Sequence, residues 1–83
     1  MGIRATLAGN LKRLRAEKGI SQEELAHLAD LDRTYISSLE RQVYGASIDV
    51  VERLAKVLGV RPSDLLAYPV VTRKGVRFSG KAK

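Results

Sequence analysis

The chain has 83 residues, no cysteine and a formal net charge of +6 at pH 7. This length suits a single domain, and the absence of cysteine excludes both a disulfide framework and a thiolate metal site. The single histidine, His27, cannot form a metal site alone. No apolar run approaches the roughly 20 residues that a membrane span requires, and no signal peptide is visible, so we expect a cytoplasmic protein with no membrane partner.

The sequence also lacks the groups that an active site requires. It has no glycine-rich phosphate-binding loop and no pair of carboxylates beside a candidate nucleophile. We therefore predict that the protein is not an enzyme, holds no cofactor and no metal, and has no small-molecule ligand domain.

The positive charge is unevenly distributed. Residues 1–68 contain ten Lys or Arg against nine Asp or Glu, whereas residues 69–83 contain five Lys or Arg and no acid. This predicts a domain over residues 1–68 and a basic C-terminal extension over residues 69–83. The extension either attracts polyanions or acts as a solvated tail. Its sequence PVVTRKGVRF allows a short β-hairpin, which would be marginal in isolation.

The first predicted helix covers about Thr6 to Lys18. Its leucines at positions 7, 11 and 14 form an apolar stripe, and Gly19 is the expected helix stop. We expect residues 1–5 to be frayed.

The segment SQEELAHLADLDRTYISSLER predicts two short helices joined by a tight turn. Ser21 and Glu24 have the spacing of a capping box for a helix over about residues 22–29. Asp32 is a suitable N-cap for a second helix over about residues 33–41. Two such helices joined by a short turn are typical of a helix-turn-helix unit.

A fourth helix is predicted after Ser47, from about Ile48 to Leu58, and a short fifth helix over residues 61–66. The apolar residues of the fourth helix follow the helical period and are expected in the core: Ile48, Val51, Leu54, Ala55 and Leu58. The predicted fold class is therefore all-α, with five helices in one compact domain.

The runs SQEELA, LDRTYISSLER and SIDVVERLAKVLGV together resemble the lambda-repressor-like helix-turn-helix family, also called the Cro/CI or xenobiotic-response-element class. The resemblance covers about Leu11 to Leu66. It implies a compact five-helix DNA-binding domain whose third helix is the recognition helix, placed in the major groove while the second helix crosses the backbone.

The resemblance implies base contacts from the outer face of the third helix. Arg can grip guanine O6 and N7, and Thr can contact a thymine methyl group. Tyr35 could instead pack beside the second helix, and that alternative stays open. The expected base contacts are Arg33, Thr34, Tyr35 and Ser38.

Contacts to the DNA backbone are expected from Gln22, Ser37, Arg41 and Tyr44. Gln22 stands at a helix N-terminus, whose free N–H groups suit a phosphate. The loop departs from the family pattern, since Gln42 replaces a Gly, Val43-Tyr44 replace a basic pair and Ala46 replaces a Pro. Val43 and Tyr44 could therefore pack on the core edge instead.

Two further expectations come from the family. Arg15 matches the position that forms a structural ion pair with the acid closing the third helix, here Glu40. The region around the fifth helix often forms the dimer contact, which points to Leu66 and Tyr68.

These expectations combine into a homodimer that binds a palindromic operator in double-stranded DNA. Its role would be transcriptional regulation, as a repressor that occludes a promoter, and LDRTYIS resembles the restriction–modification controller type in particular. The alternative is a helix-turn-helix protein-interaction module, such as an antitoxin or a bridging coactivator.

Overall fold

The computed structural model of the protein describes residues 2–68, and the predicted β-hairpin lies outside the described residues. Within this part of the chain the backbone forms helices and no strands. This confirms the predicted all-α fold class. The five helices are α1 (Ile3–Lys18), α2 (Gln22–Ala29), α3 (Arg33–Glu40), α4 (Ile48–Leu58) and α5 (Pro62–Leu66).

Helix α1 begins three residues earlier than the sequence predicts. The expectation that residues 3–5 are frayed is therefore wrong. The first turn closes because the Thr6 amide and the Thr6 hydroxyl both donate to the Gly2 carbonyl, at 3.1 and 3.3 Å. The Arg4 side chain also lies against Gly45, so this turn is held by the later part of the chain.

The helix boundaries follow local capping chemistry. The Ser21 hydroxyl accepts from the Glu24 amide at 3.0 Å, and the Ser47 hydroxyl accepts from the Val50 amide at 3.1 Å. Asp32 is the N-cap residue of α3, as predicted, but its side chain accepts no hydrogen bond from the helix. The Asp32 carbonyl accepts from the Tyr35 and Ile36 amides, at 3.0 and 3.2 Å.

The core lies where all five helices meet. Its centre consists of side chains with essentially no exposed surface, each contributing about 1.5–3 kcal/mol by burial. They are Leu11, Leu25, Ile36, Leu39, Leu54 and Leu65. Around them α1 packs on α3 and α5, and α2 packs on α3 and α4.

Ile48 does not join this core, although the helical period of α4 predicts that it does. Its side chain is 82% exposed. Ile48 is the first residue of α4, beyond the reach of the helices that cover Val51, Leu54 and Leu58, and no element within residues 2–68 packs over it.

A buried asparagine fixes α5 on α1. Asn10 is 1% exposed, and its amide nitrogen donates to the carbonyls of Leu65 and Ala67 at 2.8 and 2.9 Å. These carbonyls end a helix and have no intrahelical partner. Nothing in the local sequence marks Asn10 as buried, because its hydrogen-bond partners lie 55 and 57 positions further along the chain.

Within residues 2–68, no helix combines the length and apolar character needed to cross a bilayer.

Candidate nucleic-acid interface

The tight turn between α2 and α3 sets the orientation of the helix-turn-helix unit. Asp30 adopts a left-handed conformation with φ 61°, and the Leu31 amide donates to the Ala26 carbonyl at 2.8 Å. Aspartate tolerates this backbone region better than most residues. The turn therefore forms without the glycine that the resembled family has at this position.

The N-terminal end of α3 presents polar side chains to solvent. Arg33 and Thr34 are both exposed, whereas Ile36 and Leu39 are buried on the opposite side. Arg33 and Thr34 thus lie where the sequence predicts, on the outer face of the third helix. A guanidinium and a hydroxyl at the start of an exposed helix can reach hydrogen-bonding partners outside the protein.

Ser38 does not lie on this outer face. Its side chain is 5% exposed, so the expectation that Ser38 faces a bound ligand is wrong. Two helices, α1 and α2, pack against α3. The Ser38 carbonyl accepts from the Val43 amide at 2.9 Å and so helps to fold the next loop.

The other residues of the predicted interface differ in exposure. Tyr35 is half-buried and packs partly against the core. Ser37 is also half-buried, and its hydroxyl accepts from Arg41 Nε at 3.3 Å. Arg41 and Tyr44 are exposed, and both adjoin the C-terminal end of α3.

A buried ion pair supports α3 from behind. Arg15 Nε and Nη2 donate to the two carboxylate oxygens of Glu40 at 2.8 and 3.0 Å, which is the pair that the family resemblance implies. The Glu40 side chain is 3% exposed and that of Arg15 is 21% exposed. Arg15 also donates to the Ile20 carbonyl, so the pair ties α1 to the loop before α2 as well as to α3.

The titration of Glu40 reflects this environment. Burial alone would raise the pKa of Glu40, but the hydrogen bonds from Arg15 and Gln22 and the charges of Arg15 and Lys12 outweigh it and lower the pKa. The hydrogen bond to Glu40 in turn raises the pKa of Arg15, against the opposing effect of burial. Both groups are therefore charged at neutral pH.

Gln22 extends this cluster to the surface. Its amide nitrogen donates to Glu40 Oε1 at 3.0 Å, while its amide oxygen accepts from Arg33 Nη1 at 3.5 Å. Gln22 is half-buried at the N-terminal end of α2. The sequence predicts separate roles for Gln22 and Arg33, and their hydrogen bond emerges only from the packing of α2 on α3.

The loop after α3 contains the second left-handed residue other than glycine. Gln42 has φ 65°, at a position where the family usually has Gly. Val43 and Tyr44 follow it, and about half of each side chain is exposed. Neither is fully packed on the core edge, so the tyrosine hydroxyl remains available for a contact.

One charged residue near this loop was missed by the sequence analysis. A Cβ atom built on Gly45 would lie 3.1 Å from Arg4 Nε, so the guanidinium of α1 lies directly against the loop. The loop has lost the basic pair typical of the family, and Arg4 restores positive charge beside it. Forty residues separate the two positions, and no local pattern connects them.

A largely apolar groove adjoins this loop and lies between the start of α1, the start of α4 and the end of α5; Arg4 and Gly45 also line it. It encloses about 190 Å³, and Ile3, Ile48 and Leu66 line it with their exposed side chains. Leu66 was predicted as a dimer contact, whereas Ile3 and Ile48 were not. Tyr68, the other predicted dimer contact, is exposed two residues after Leu66.

Comparison with known proteins places this geometry in a family. A helix-turn-helix family model (HTH_3) matches residues 11–65. A hypothetical transcription factor from Neisseria meningitidis is 45% identical over 67 residues, which are 81% of this chain and 63% of that protein. The chain thus spans less than two thirds of that relative.

A control protein and a restriction–modification controller protein are also similar. Control protein C.BamHI from Bacillus amyloliquefaciens is 41% identical over 70 residues, covering 83% of this chain and 86% of the relative. The crystal structure of the controller protein C.AhdI from Aeromonas hydrophila is 37% identical, with a TM-score of 0.72 over 75% of this chain and 94% of that one. The chain belongs to the HTH_3 helix-turn-helix family, of the Cro/CI type, whose matched members are transcription regulators and not enzymes.

Proposed function

We propose that the chain is a dimeric, sequence-specific DNA-binding regulator of the controller type, which represses transcription by occluding a promoter. The observation that carries the proposal is the exposed N-terminal end of α3, where Arg33 and Thr34 face solvent while the rest of the helix is anchored in the core. A rigid helix with exposed hydrogen-bonding side chains at its N-terminus suits readout of base edges in the major groove.

Base recognition rests on Arg33 and Thr34, with Tyr35 at the edge of the contact. Arg33 can bond a guanine through two parallel hydrogen bonds, and each such pair discriminates by about 1–3 kcal/mol against other bases. Tyr35 keeps part of its side chain accessible at the same helix end. Ser38 is left out of the proposed contacts because it is buried.

Affinity would come from the phosphates. Gln22 stands at the N-terminus of α2, where unpaired backbone N–H groups attract anions. Ser37, Arg41 and Tyr44 lie at or just beyond the other end of α3, so they can contact the backbone on the far side of the groove. The basic extension over residues 69–83 would add a non-specific contribution by counterion release.

A two-fold dimer is supported by the apolar groove. Ile3, Ile48 and Leu66 expose aliphatic surface at one place, and Tyr68, two residues after Leu66, is also exposed. Clustered exposed apolar surface marks sites of protein association. Two copies joined there would present two α3 helices to half-sites about 34 Å apart on a palindromic operator.

The same groove also favours a second candidate function. A helix-turn-helix module that holds a different protein, as an antitoxin or a bridging coactivator does, would use exposed apolar surface without base-specific contacts. The nearly neutral charge of residues 1–68 fits this candidate too. Sequence-dependent DNA binding distinguishes the proposed regulator from the protein-interaction module.

The test is selection of binding sites from a random duplex pool, followed by titration of selected and random duplexes at two salt concentrations. The proposal expects a selected palindrome, and a preference for it that survives removal of residues 69–83. Equal affinity for all duplexes would leave only the protein-interaction candidate or a general nucleic-acid binder. A steep salt dependence that disappears on truncation would assign the non-specific binding to the extension.

A further inference from the structure

Four side chains form one continuous chain of hydrogen bonds from α1 to the exposed end of α3. Arg15 donates two hydrogen bonds to Glu40, and Gln22 donates to Glu40 Oε1 at 3.0 Å. Arg33 then donates to the Gln22 amide oxygen at 3.5 Å. The residue proposed to read a base is thus connected to a carboxylate that is 3% exposed and cannot touch DNA.

The carboxylate determines which way the Gln22 amide points. An ionised Glu40 has only acceptor atoms, so it holds the NH₂ group of Gln22 and repels the amide oxygen. The oxygen must therefore face the other way, toward Arg33. Because the pKa of Glu40 is lowered, the carboxylate stays ionised at neutral pH and this orientation persists.

We propose that Glu40 is a positioning residue for base recognition: through the Gln22 amide it orients the Arg33 guanidinium for two parallel hydrogen bonds to a base. This inference rests on the function proposed above. Arg15 holds Glu40 in place with a bidentate ion pair, which leaves the carboxylate little freedom to turn. A pre-oriented arginine loses less conformational entropy on binding than a freely rotating one.

The second hydrogen of the Gln22 amide extends the idea to the phosphate. One N–H bonds Glu40, and the other makes no hydrogen bond within residues 2–68. That hydrogen is available to a phosphate oxygen at the N-terminus of α2.

The test is Glu40→Gln in the full chain, assayed on the selected operator and on duplexes changed at one base pair at a time. A neutral amide at position 40 can donate as well as accept, so Gln22 is free to turn its NH₂ group toward Arg33. We expect the preference at the base pair read by Arg33 to fall about tenfold, while preferences at other base pairs stay unchanged. Glu52→Gln, an exposed site on α4, is the matched control and should change no preference.

Gln22→Met provides a second variant that leaves the Arg15–Glu40 pair intact and so does not depend on tolerance of a change in the core. It should lose the same base preference, together with a uniform loss of affinity from the missing phosphate contact. In an Arg33→Ala background, Glu40→Gln should have no further effect on preference, since the residue that it orients is absent.

A Glu40→Gln protein that is folded and keeps the wild-type preference at every base pair would overturn the inference. A uniform loss of affinity on all duplexes would also overturn it, because that is the result of a purely structural role. Wild-type protein without any base preference would instead overturn the proposed function, and the inference with it, so the two failures are distinguished by the wild-type titration.

Discussion

Two surfaces of this small domain differ in how they are prepared for a partner. The outer end of α3 carries polar side chains that are connected to a buried ion pair. Arg33 there donates a hydrogen bond to Gln22, which in turn donates one to Glu40. The groove at the start of α1 and α4 carries aliphatic side chains, Ile3 and Ile48 among them, that make no directed contacts. The end of α3 thus offers positioned hydrogen-bond donors, whereas the groove offers mainly apolar surface area.

This difference indicates what each surface can bind. Hydrogen bonds to bases discriminate only when donors are correctly placed, so the recognition surface benefits from rigidity. Apolar burial is non-directional and roughly proportional to area, so the groove gains from any well-shaped apolar partner. Changes at the groove should therefore alter assembly, and changes at α3 should alter sequence preference.

The largest effect is expected from Ile48→Asp. A charge on the 82%-exposed side chain would be buried at a dimer contact, at high cost, while aspartate in the first turn of α4 suits the helix dipole and preserves the fold. We expect monomeric protein by sedimentation, and operator affinity about 100-fold weaker because the second half-site no longer assists.

Leu28→Asp is the matched control for that change. Leu28 is also an exposed aliphatic residue, but it lies on α2 outside the groove. The control should remain dimeric. An Ile48→Asp protein that is still a dimer would show that the groove is not the interface.

Next in size is Arg33→Ala. It removes the guanidinium from the exposed end of α3 and leaves the core unchanged, since Arg33 is exposed. We expect preference for the selected operator to fall about 10- to 100-fold, with dimerisation unaffected. Lys56→Ala removes the same charge from the outer side of α4 and should change affinity only slightly.

The ion pair behind α3 should make stability depend on pH. The folded pKa of Glu40 is lowered, so its contribution is fully present above the unfolded value of about 4.3 and is lost as the pH falls through the folded pKa. Urea unfolding between pH 7 and pH 3 should show this loss. In Glu40→Gln the decline should be shallower, whereas Glu52→Gln should retain the wild-type profile.

The smallest effect is expected in the loop beside α3. Gln42 has φ 65°, a conformation that costs side chains other than Gly about 1 kcal/mol. Gln42→Gly should therefore raise the free energy of unfolding by about 0.5–1 kcal/mol, measured by urea unfolding, and leave both surfaces unchanged. Gly59→Ala is the reverse control: φ at Gly59 is 74°, and a Cβ atom added there would meet no neighbouring atom within 4 Å, so backbone strain alone should destabilise this variant.

Much of the fold follows from local patterns in the sequence. Ser21 and Ser47 begin helices as predicted, and Gly19 and Gly59 end them, because caps depend on hydrogen bonds within a few residues. The limits of local patterns are equally visible. Ile48 fits the helical period of α4 yet remains exposed, since periodicity reports a face of a helix and not whether anything covers it.

In the candidate site, too, some residues could be predicted from local sequence patterns and others could not. The exposure of Arg33 and Thr34 could be predicted from the apolar positions of their own helix. Ser38 was placed wrongly because two neighbouring helices, and not one, pack against α3. Asn10 and Arg4 gave no signal at all, since their partners lie more than forty residues away along the chain.

The sequence by itself determined the helices, the turn and the side chains displayed at the start of α3, because these depend on interactions between residues a few positions apart. Only the tertiary structure decided that Glu40, Gln22 and Arg33 form one hydrogen-bonded chain and that Ile3 meets Ile48 and Leu66 in one groove. Such contacts join helices distant in sequence, and their geometry is set by how the whole core packs.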